Sequence, residues 1–586
     1  MFLAGVLGAL QLRSARADLL IARADLQSVA RGLGRAQNAE GRSALTAATA
    51  DAVRRTARAR DRLRGSLLLQ VAGIVPGLSA QRRGLVRSAD IAAEAASIAA
   101  GLANEADRNA DAIALRGGAV DIDALVRFAD DARDAAKRIR ALPRAHAPGQ
   151  WGFIADATRD LDREIVDAGH RLTTGAGTLR ATAGLLGADG PRRFFIALQN
   201  NAEMRDQGMV LQYAVAETAD GRLNLVRRGR VTEIELARPI SDITLSPGTQ
   251  SVFAALAPLQ LWQSVNAFAD SELSGRAMIS MYRQATGETV DGVIALDVPA
   301  IAEILGVTGP VSIPGIAEPI SRENAARILL NDLYAADRTL DQSDRRERLA
   351  DVAAALTDRI QAGPVDAAGL ADALGRAAAG GHLRVTSTRP DEQKAFVAAG
   401  LAGGPAAHHP ERTIHVSVQN GTATKLDYFV RPKIRFDVSV TPDDAAVVRA
   451  TVAIPNTAPV PTPPSFQFGP DKIVQFTPGL YKARAYFWGP RGSDQLNSAE
   501  DSGLNLSWAA VDVPAGTTKD LSFTTVIPNA VRNGVLRLRF VPQPRHEPAE
   551  ISISVAGIGR RVANAPAVAK HWDRTLDLQW KLSNSD

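Results

Sequence analysis

Phe194 to Val215 reads FFIALQNNAEMRDQGMVLQYAV, and the arrangement of the chain turns on how those residues fold. Phe194–Leu198 is an unbroken apolar run of strand length, the pattern of a buried strand. Met209–Glu217 and Arg222–Arg230 are strand-like as well, and Ala219-Asp220-Gly221 between them is a hairpin signal. Further on, Val290–Asp297 (VDGVIALD) reads as another buried strand that leads into an apolar helix ending at Leu305. Ser321–Tyr334 and Asp344–Ile360 carry amphipathic helix patterns. Strands alternating with helices imply an α/β layer over residues 190–400.

Before this region the texture is different. From Ser14 to about Leu186 alanine and arginine dominate, both strong helix formers. Leu19, Leu26 and Leu33 recur at coiled-coil spacing, and breaks fall at Gly73–Gly77, Gly117–Gly118 and Pro143–Gly149. Asp121 is placed to cap a helix running to Leu142. Residues 14–189 are therefore expected to form a helical bundle or stalk. Arg54, Arg58 and Arg62 share one helix face, which suits either an anion-binding stripe or a solvated surface. Residues 1–13 begin with the uncharged run Met1–Leu12, followed by Arg13 and Arg16. Twelve helical residues span about 18 Å, short of the roughly 30 Å hydrocarbon core. The run reads as a truncated membrane anchor or as a buried helix start.

After the layer the pattern turns all-β. His382–Thr388 is a strand, and Gly400–Pro410, rich in glycine and proline, reads as a linker over 401–411. Thr413–Gln419 and Lys433–Val440 alternate with the period of half-buried strands. Further strands are expected at Val447–Ile454, Gly479–Phe487, Leu504–Val513, Asp520–Ile527, Gly534–Val541 and Glu550–Val555. Residues 412–558 thus read as an antiparallel β-sandwich. Tyr428, Tyr481, Tyr486, Trp488 and Trp508 either fill its core or stack on sugars. Residues 559–586 look like a weakly patterned tail, with Trp572 and Trp580 able to dock back. The fold class expected is multidomain α+β.

Composition narrows the chemistry. With no cysteine, disulfides and thiolate metal sites are excluded. The eight histidines form no HxxxH or HExxH pair, so neither zinc nor haem is expected, and His408–His409 falls in the linker. Neither a Walker loop nor GxGxxG occurs near a suitable strand, which argues against a nucleotide. Lys and Arg exceed Asp and Glu by 68 to 63, and residues 1–150 hold 23 of the basic and 15 of the acidic ones. A basic first part suits an anionic membrane or polymer, although an arginine-rich composition accounts for the same excess. Nucleic acid is not an expected partner.

FFIALQNNAEMRDQGMVLQYAV resembles the signature of a bacterial family known as domain of unknown function 4012. VDGVIALD (290–297), TGPVSIPG (308–315), the run ending at Tyr334 and NGTATKLDYFV (420–430) fit the same resemblance. One departure is Gly208-Met209, where the family more often has Gly-Gly. The central region is also similar to the LytR-CpsA-Psr fold, whose members transfer lipid-linked glycopolymers onto the cell wall. Arg205-Asp206, Arg228-Gly229-Arg230, Asn266, VDGVIALD and Arg345…Arg348-Leu349 follow that family's landmarks in order. By this resemblance Arg205, Arg228, Arg230, Asn266, Arg345 and Arg348 would clamp a pyrophosphate, since guanidinium forks bind its oxygens bidentately. Asn200, Asn201, Glu203 and Asp291 would shape the site, and Asp206 would hold magnesium if there is catalysis. The Pro-Arg-Asp aspartate of that family has no counterpart, because Val231 follows Arg230.

Two readings follow. In one, the chain is a membrane-associated extracytoplasmic component of envelope or polysaccharide biogenesis that binds an anionic glycopolymer or a polyprenyl-pyrophosphate-linked precursor. In the other, it is a phosphotransferase on that lipid-linked polymer. A purely structural envelope scaffold is a third possibility, and no catalytic residue can be assigned.

Overall fold

The computed structural model describes residues 39–65, 78–113, 115–335, 348–363, 365–470, 476–563, 568–569 and 571–584. The expected anchor, the Leu19–Leu33 spacing, the Gly73–Gly77 break and Arg345 lie outside them. Helices occupy the N-terminal region and β-sheets the C-terminal one, a multidomain α+β architecture. Two compact units result. The first comprises the described residues up to Pro191, with Ala219–Arg222 and a short piece ending at Asp372; the second takes the rest.

Four helices build most of the first unit: α1 (Ala39–Gly65), α2 (Leu78–Ile113), α3 (Ile122–Ala141) and α4 (Gly152–Leu185). Asp121 caps α3, its side chain accepting from Ala124 N at 2.9 Å. Leu63 near the end of α1 meets Leu85 and Ala89 near the start of α2, while Leu45 meets Ala96 and Ala103 further along. These two helices therefore run antiparallel. Alanine fills much of the seam, so the helices approach closely but bury little apolar area per residue. Arg54, Arg58 and Arg62 are exposed, as a solvated helix face would be.

In the second unit a five-stranded sheet has the order β3 (Arg222–Arg230), β2 (Gly208–Ala219), β1 (Arg192–Met204), β4 (Gly292–Asp297), β5 (Leu383–Ser387). Strands β1 and β4 are parallel, whereas β1–β2 and β4–β5 are antiparallel. The FFIAL run is apolar throughout because both faces of β1 are covered. Phe195 and Ala197 pack with Trp262 and with Met278, Met281 and Tyr282 of a helix over Ser271–Thr286. Ile196 and Leu198 face the other way, against Ile301 and Leu305 of Val298–Thr308 and Val352 and Leu356 of Arg348–Ala362. The helix expected over Ser321–Tyr334 is instead broken. Ala325–Arg327 gives way to a π turn at Ile328–Asp332 and then to Leu333–Ala335. The π turn buries Ile328, Leu329 and Leu330 in succession, which one straight amphipathic face cannot do.

Two further sheets form the sandwich. One has the order β10 (Asp494–Gln495), β13 (Thr518–Ile527), β8 (Ala446–Pro455), β7 (Lys433–Val440), β16 (Glu550–Gly557), β18 (Val568–Ala569). The other runs β11 (Ala499–Asp501), β12 (Leu504–Val513), β9 (Tyr481–Gly489), β6 (Thr413–Asn420), β15 (Val535–Val541), β19 (Leu576–Asn584), β17 (Arg560–Ala563), with β14 (Val531–Arg532) beside β15. Two expectations need correction. The sandwich is not wholly antiparallel, since β6–β15 and β7–β16 pair in parallel. Nor does it stop at residue 558, because β19 adds to β15 and both Trp572 and Trp580 are buried in the core. The linker is packed too: Ala402 and Pro405 are buried and His408 bonds the Val397 carbonyl. Tyr481, Tyr486 and Trp488 are buried, while Trp508 is exposed.

Candidate functional site

The signature polar residues lie where β1 ends. Between Asn200 and Met204 the register with β2 shifts, so Asn201, Ala202 and Glu203 form a bulge. Gly208 closes the turn against Asn200, whose backbone atoms would lie 2.9–3.1 Å from any Cβ there. This fit explains why glycine occupies the position.

Each polar side chain of the bulge and turn is met by a partner, several of them from the sandwich. Asn200 donates to the Tyr334 hydroxyl at 2.7 Å and accepts from Ala202 N. Asn201 donates to Asp297 at 2.8 Å and accepts from Val298 N, fixing the start of the helix after β4. Glu203 forms a direct ion pair with Lys425, both almost fully buried, and the Lys425 ammonium lies 4.6 Å from the Tyr334 ring centroid. Arg205 donates to the carbonyls of Asn420 at 2.6 Å and Met204 at 3.5 Å. Burial holds its guanidinium below the usual arginine range, partly offset by the nearby Glu203 carboxylate.

Asp206 and His415 meet at 2.8 Å, both buried. The other ring nitrogen of His415 faces the Val541 carbonyl at 2.9 Å. A carbonyl only accepts, so that nitrogen donates to it. Behind this pair Asp427 is saturated. Its carboxylate accepts from Met204 N (3.0 Å), Asn420 (2.9 Å), the Tyr481 hydroxyl (2.7 Å) and Arg545 (2.9 Å). Gln543 adds a bond to the Arg205 carbonyl at 2.8 Å. Beneath His415, Trp488 donates to Asp501 at 2.8 Å, and burial pushes that carboxyl upward.

The other sequence-derived candidates are distributed among different partners. Arg228 and Arg348 both face Asp351, at 3.4 and 4.0 Å, and Arg348 also bonds the Pro314 carbonyl. Arg230 pairs with Glu233 at 3.2 Å. Asn266 donates to the Gly208 carbonyl and Asp291 accepts from Arg193 N. Thus Arg228 and Arg348 come together, while Arg205 is held at the sandwich and Arg230 on its own carboxylate. Magnesium does not fit the donors present: Asp206 is bonded to an imidazole, and no group of three His, Asp or Glu among the described residues could hold an ion.

Sequence reasoning did not single out His415, Asp427, Gln543 or Arg545, and it read Tyr481 only as a core or sugar-stacking aromatic. Lys425 and Asp427 stood inside the NGTATKLDYFV motif, so a signal existed for them. Gln543 and Arg545 stand in no motif, and only the fold brings them to Asp427.

Residues 189–334 match the model of a family described as protein of unknown function, DUF4012. This segment is a DUF4012 domain. No curated protein and no solved structure matches the chain. The DUF4012 segment begins just before β1 and ends at Tyr334, the residue that receives the Asn200 bond. Its Glu203, Arg205 and Asp206 nevertheless find their partners outside it, at Lys425, Asn420 and His415. The DUF4012 signature is thus bonded into the sandwich across more than two hundred residues of sequence.

Proposed function

We propose that the chain is a membrane-associated extracytoplasmic component of bacterial envelope or polysaccharide biogenesis that binds an anionic glycopolymer or its lipid-linked precursor without turning it over. What favours binding over transfer is the state of Asp206. A phosphotransferase would need that carboxylate free for a metal and Arg205 open to the pyrophosphate. Here Asp206 is spent on His415, and Arg205 on two main-chain carbonyls. The membrane part of the reading rests on the uncharged run Met1–Leu12 and the basic first part of the sequence. Among the described residues no helix is long and apolar enough to cross a membrane.

The test is to incubate the full chain with a polyprenyl-pyrophosphate-linked oligosaccharide and magnesium, following both retention and phosphate release. Retention without release is expected, with Arg205→Ala lowering thermal stability while leaving turnover at background. Release that disappears in Arg205→Ala would replace this reading with the phosphotransferase one.

A further inference from the structure

One face of the eight-stranded sheet carries a cation, Arg484, that the bonding of the signature into the sandwich does not use. In register, Ser417 and Gln419 of β6 lie opposite Tyr486 and Arg484 of β9, which in turn lie opposite Trp508 and Ala510 of β12. Residues two apart and residues directly paired share a face, so these six side chains point the same way. Part of that face is covered. Phe253 stacks on Tyr486 at 5.3 Å, and Gln419 donates to the Ala267 carbonyl at 2.9 Å. The cover reaches Leu506 of β12 but not the residues beyond it: Arg484 is half-buried and Trp508 is 48% exposed.

Charge along this border is unbalanced. Lys425 pairs with Glu203, and Arg545 pairs with Asp427. Those are the carboxylates whose charge acts on Arg205, and each already has its own cation. Arg205 and Arg484 have no ion-pair partner among the described residues. The charges of Arg484 and Arg205 both act on the Tyr486 hydroxyl. Arg205 Nε is buried and lacks a hydrogen-bond partner. Arg205 is 9% exposed. Holding such a guanidinium without a carboxylate is costly, and an arriving anion relieves that cost.

We infer that this border is a binding site for an acidic saccharide. The anionic group, a carboxylate or a phosphate on the sugar, sits on Arg484 with Arg205 behind it, and the sugar ring stacks on the exposed face of Trp508. The mixed character of the site decides the ligand class. A free inorganic anion has no use for Trp508, and a neutral sugar has none for the Arg484 guanidinium. The inference rests on the proposed binding of an anionic glycopolymer and gives that polymer a place on the fold.

Titration calorimetry on the full chain tests it, using an oligogalacturonate, glucose 1-phosphate, inorganic phosphate and a neutral malto-oligosaccharide of similar length. The oligogalacturonate or the sugar phosphate should bind more tightly than the neutral sugar. Arg484→Gln and Trp508→Ala, both changes at partly open positions, should each weaken binding by about tenfold or more, as expected for losing a charge-assisted bond or a stacking platform. Binding within twofold of wild type in Arg484→Gln overturns the site. Inorganic phosphate competing as well as the sugar phosphate, with Trp508→Ala unchanged, overturns the saccharide. A wild-type chain that retains a long anionic polymer equally well in both variants leaves the proposed function standing and removes only this site. Acidic oligosaccharides bound through Arg484 with no polymer or lipid-linked precursor retained would do the reverse.

Discussion

His546 shows how one buried group sets a pH response. Its ring stacks on Tyr428 with centroids 5.0 Å apart and planes 7° from parallel. Burial, with Arg545, Arg431 and His382 nearby, lowers its pKa from 6.5 to about 3. The folded chain therefore refuses a proton that the unfolded chain accepts below pH 6.5. Stability from this group is complete above that value and falls as the pH drops toward about 3. Between about pH 7 and about pH 4.5 the loss is about 2–3 kcal/mol. Asp501 and Asp270, both pushed upward by burial, act in the opposite sense, since they hold protons longer in the fold. The contribution of His546 is isolated by comparison with His546→Phe, which keeps the stack on Tyr428. Urea midpoints measured across this range should fall less steeply in the variant; equal slopes would mean that the imidazole is charged in the fold.

At the scale of the element, the bulge and turn joining β1 to β2 hold the polar signature in place. The Cβ of an alanine at Gly208 would stand 2.9 Å from the Asn200 carbonyl carbon and 3.1 Å from its nitrogen and oxygen. These are main-chain atoms already fixed in the sheet, so no side chain can swing away to make room. Gly208→Ala is expected to cost about 1–3 kcal/mol, the range for forced overpacking, and to lower the thermal midpoint. An alanine variant as stable as wild type would mean that the turn shifts freely. Elements differ in how far the sequence reveals them. Strands β3, β7 and β12 start and end where their patterns do, because hairpin turns or strict alternation bound them. Residues 321–334 mislead because their periodicity fits a helix, while the need to bury Ile328, Leu329 and Leu330 together inserts a π turn. Strand β19 alternates as Leu576, Leu578, Trp580 and Leu582, a pattern that the reading of residues 559–586 as a weakly patterned tail passed over. The partners of the signature were the hardest to foresee. Asp206 needs His415, and Asp427 needs Arg545, at separations of 209 and 118 residues; no local pattern encodes such pairings.

For the whole molecule, these pairings imply that the second unit stands or falls as one body. Removing the sandwich would expose Glu203, Arg205 and Asp206 to solvent without their partners and leave the Met204 amide without its acceptor on Asp427. Water can solvate the freed charges, so the ion pairs alone do not decide the matter. The apolar contacts decide it. Phe253 and Phe268 of the α/β part share a cluster with Tyr486, Trp488, Leu504 and Leu506 of the sandwich. Large aromatic side chains of this kind contribute about 1.5–3 kcal/mol each when fully buried, and several at once approach the 5–15 kcal/mol by which a domain is stable. A fragment covering residues 189–411 should therefore lack a cooperative unfolding transition and bind a hydrophobic dye, whereas the full chain should lose its α/β layer and sandwich in one step. Calorimetry of the two proteins checks this. A fragment that melts sharply near the full-chain midpoint would show that the α/β layer folds without the sandwich.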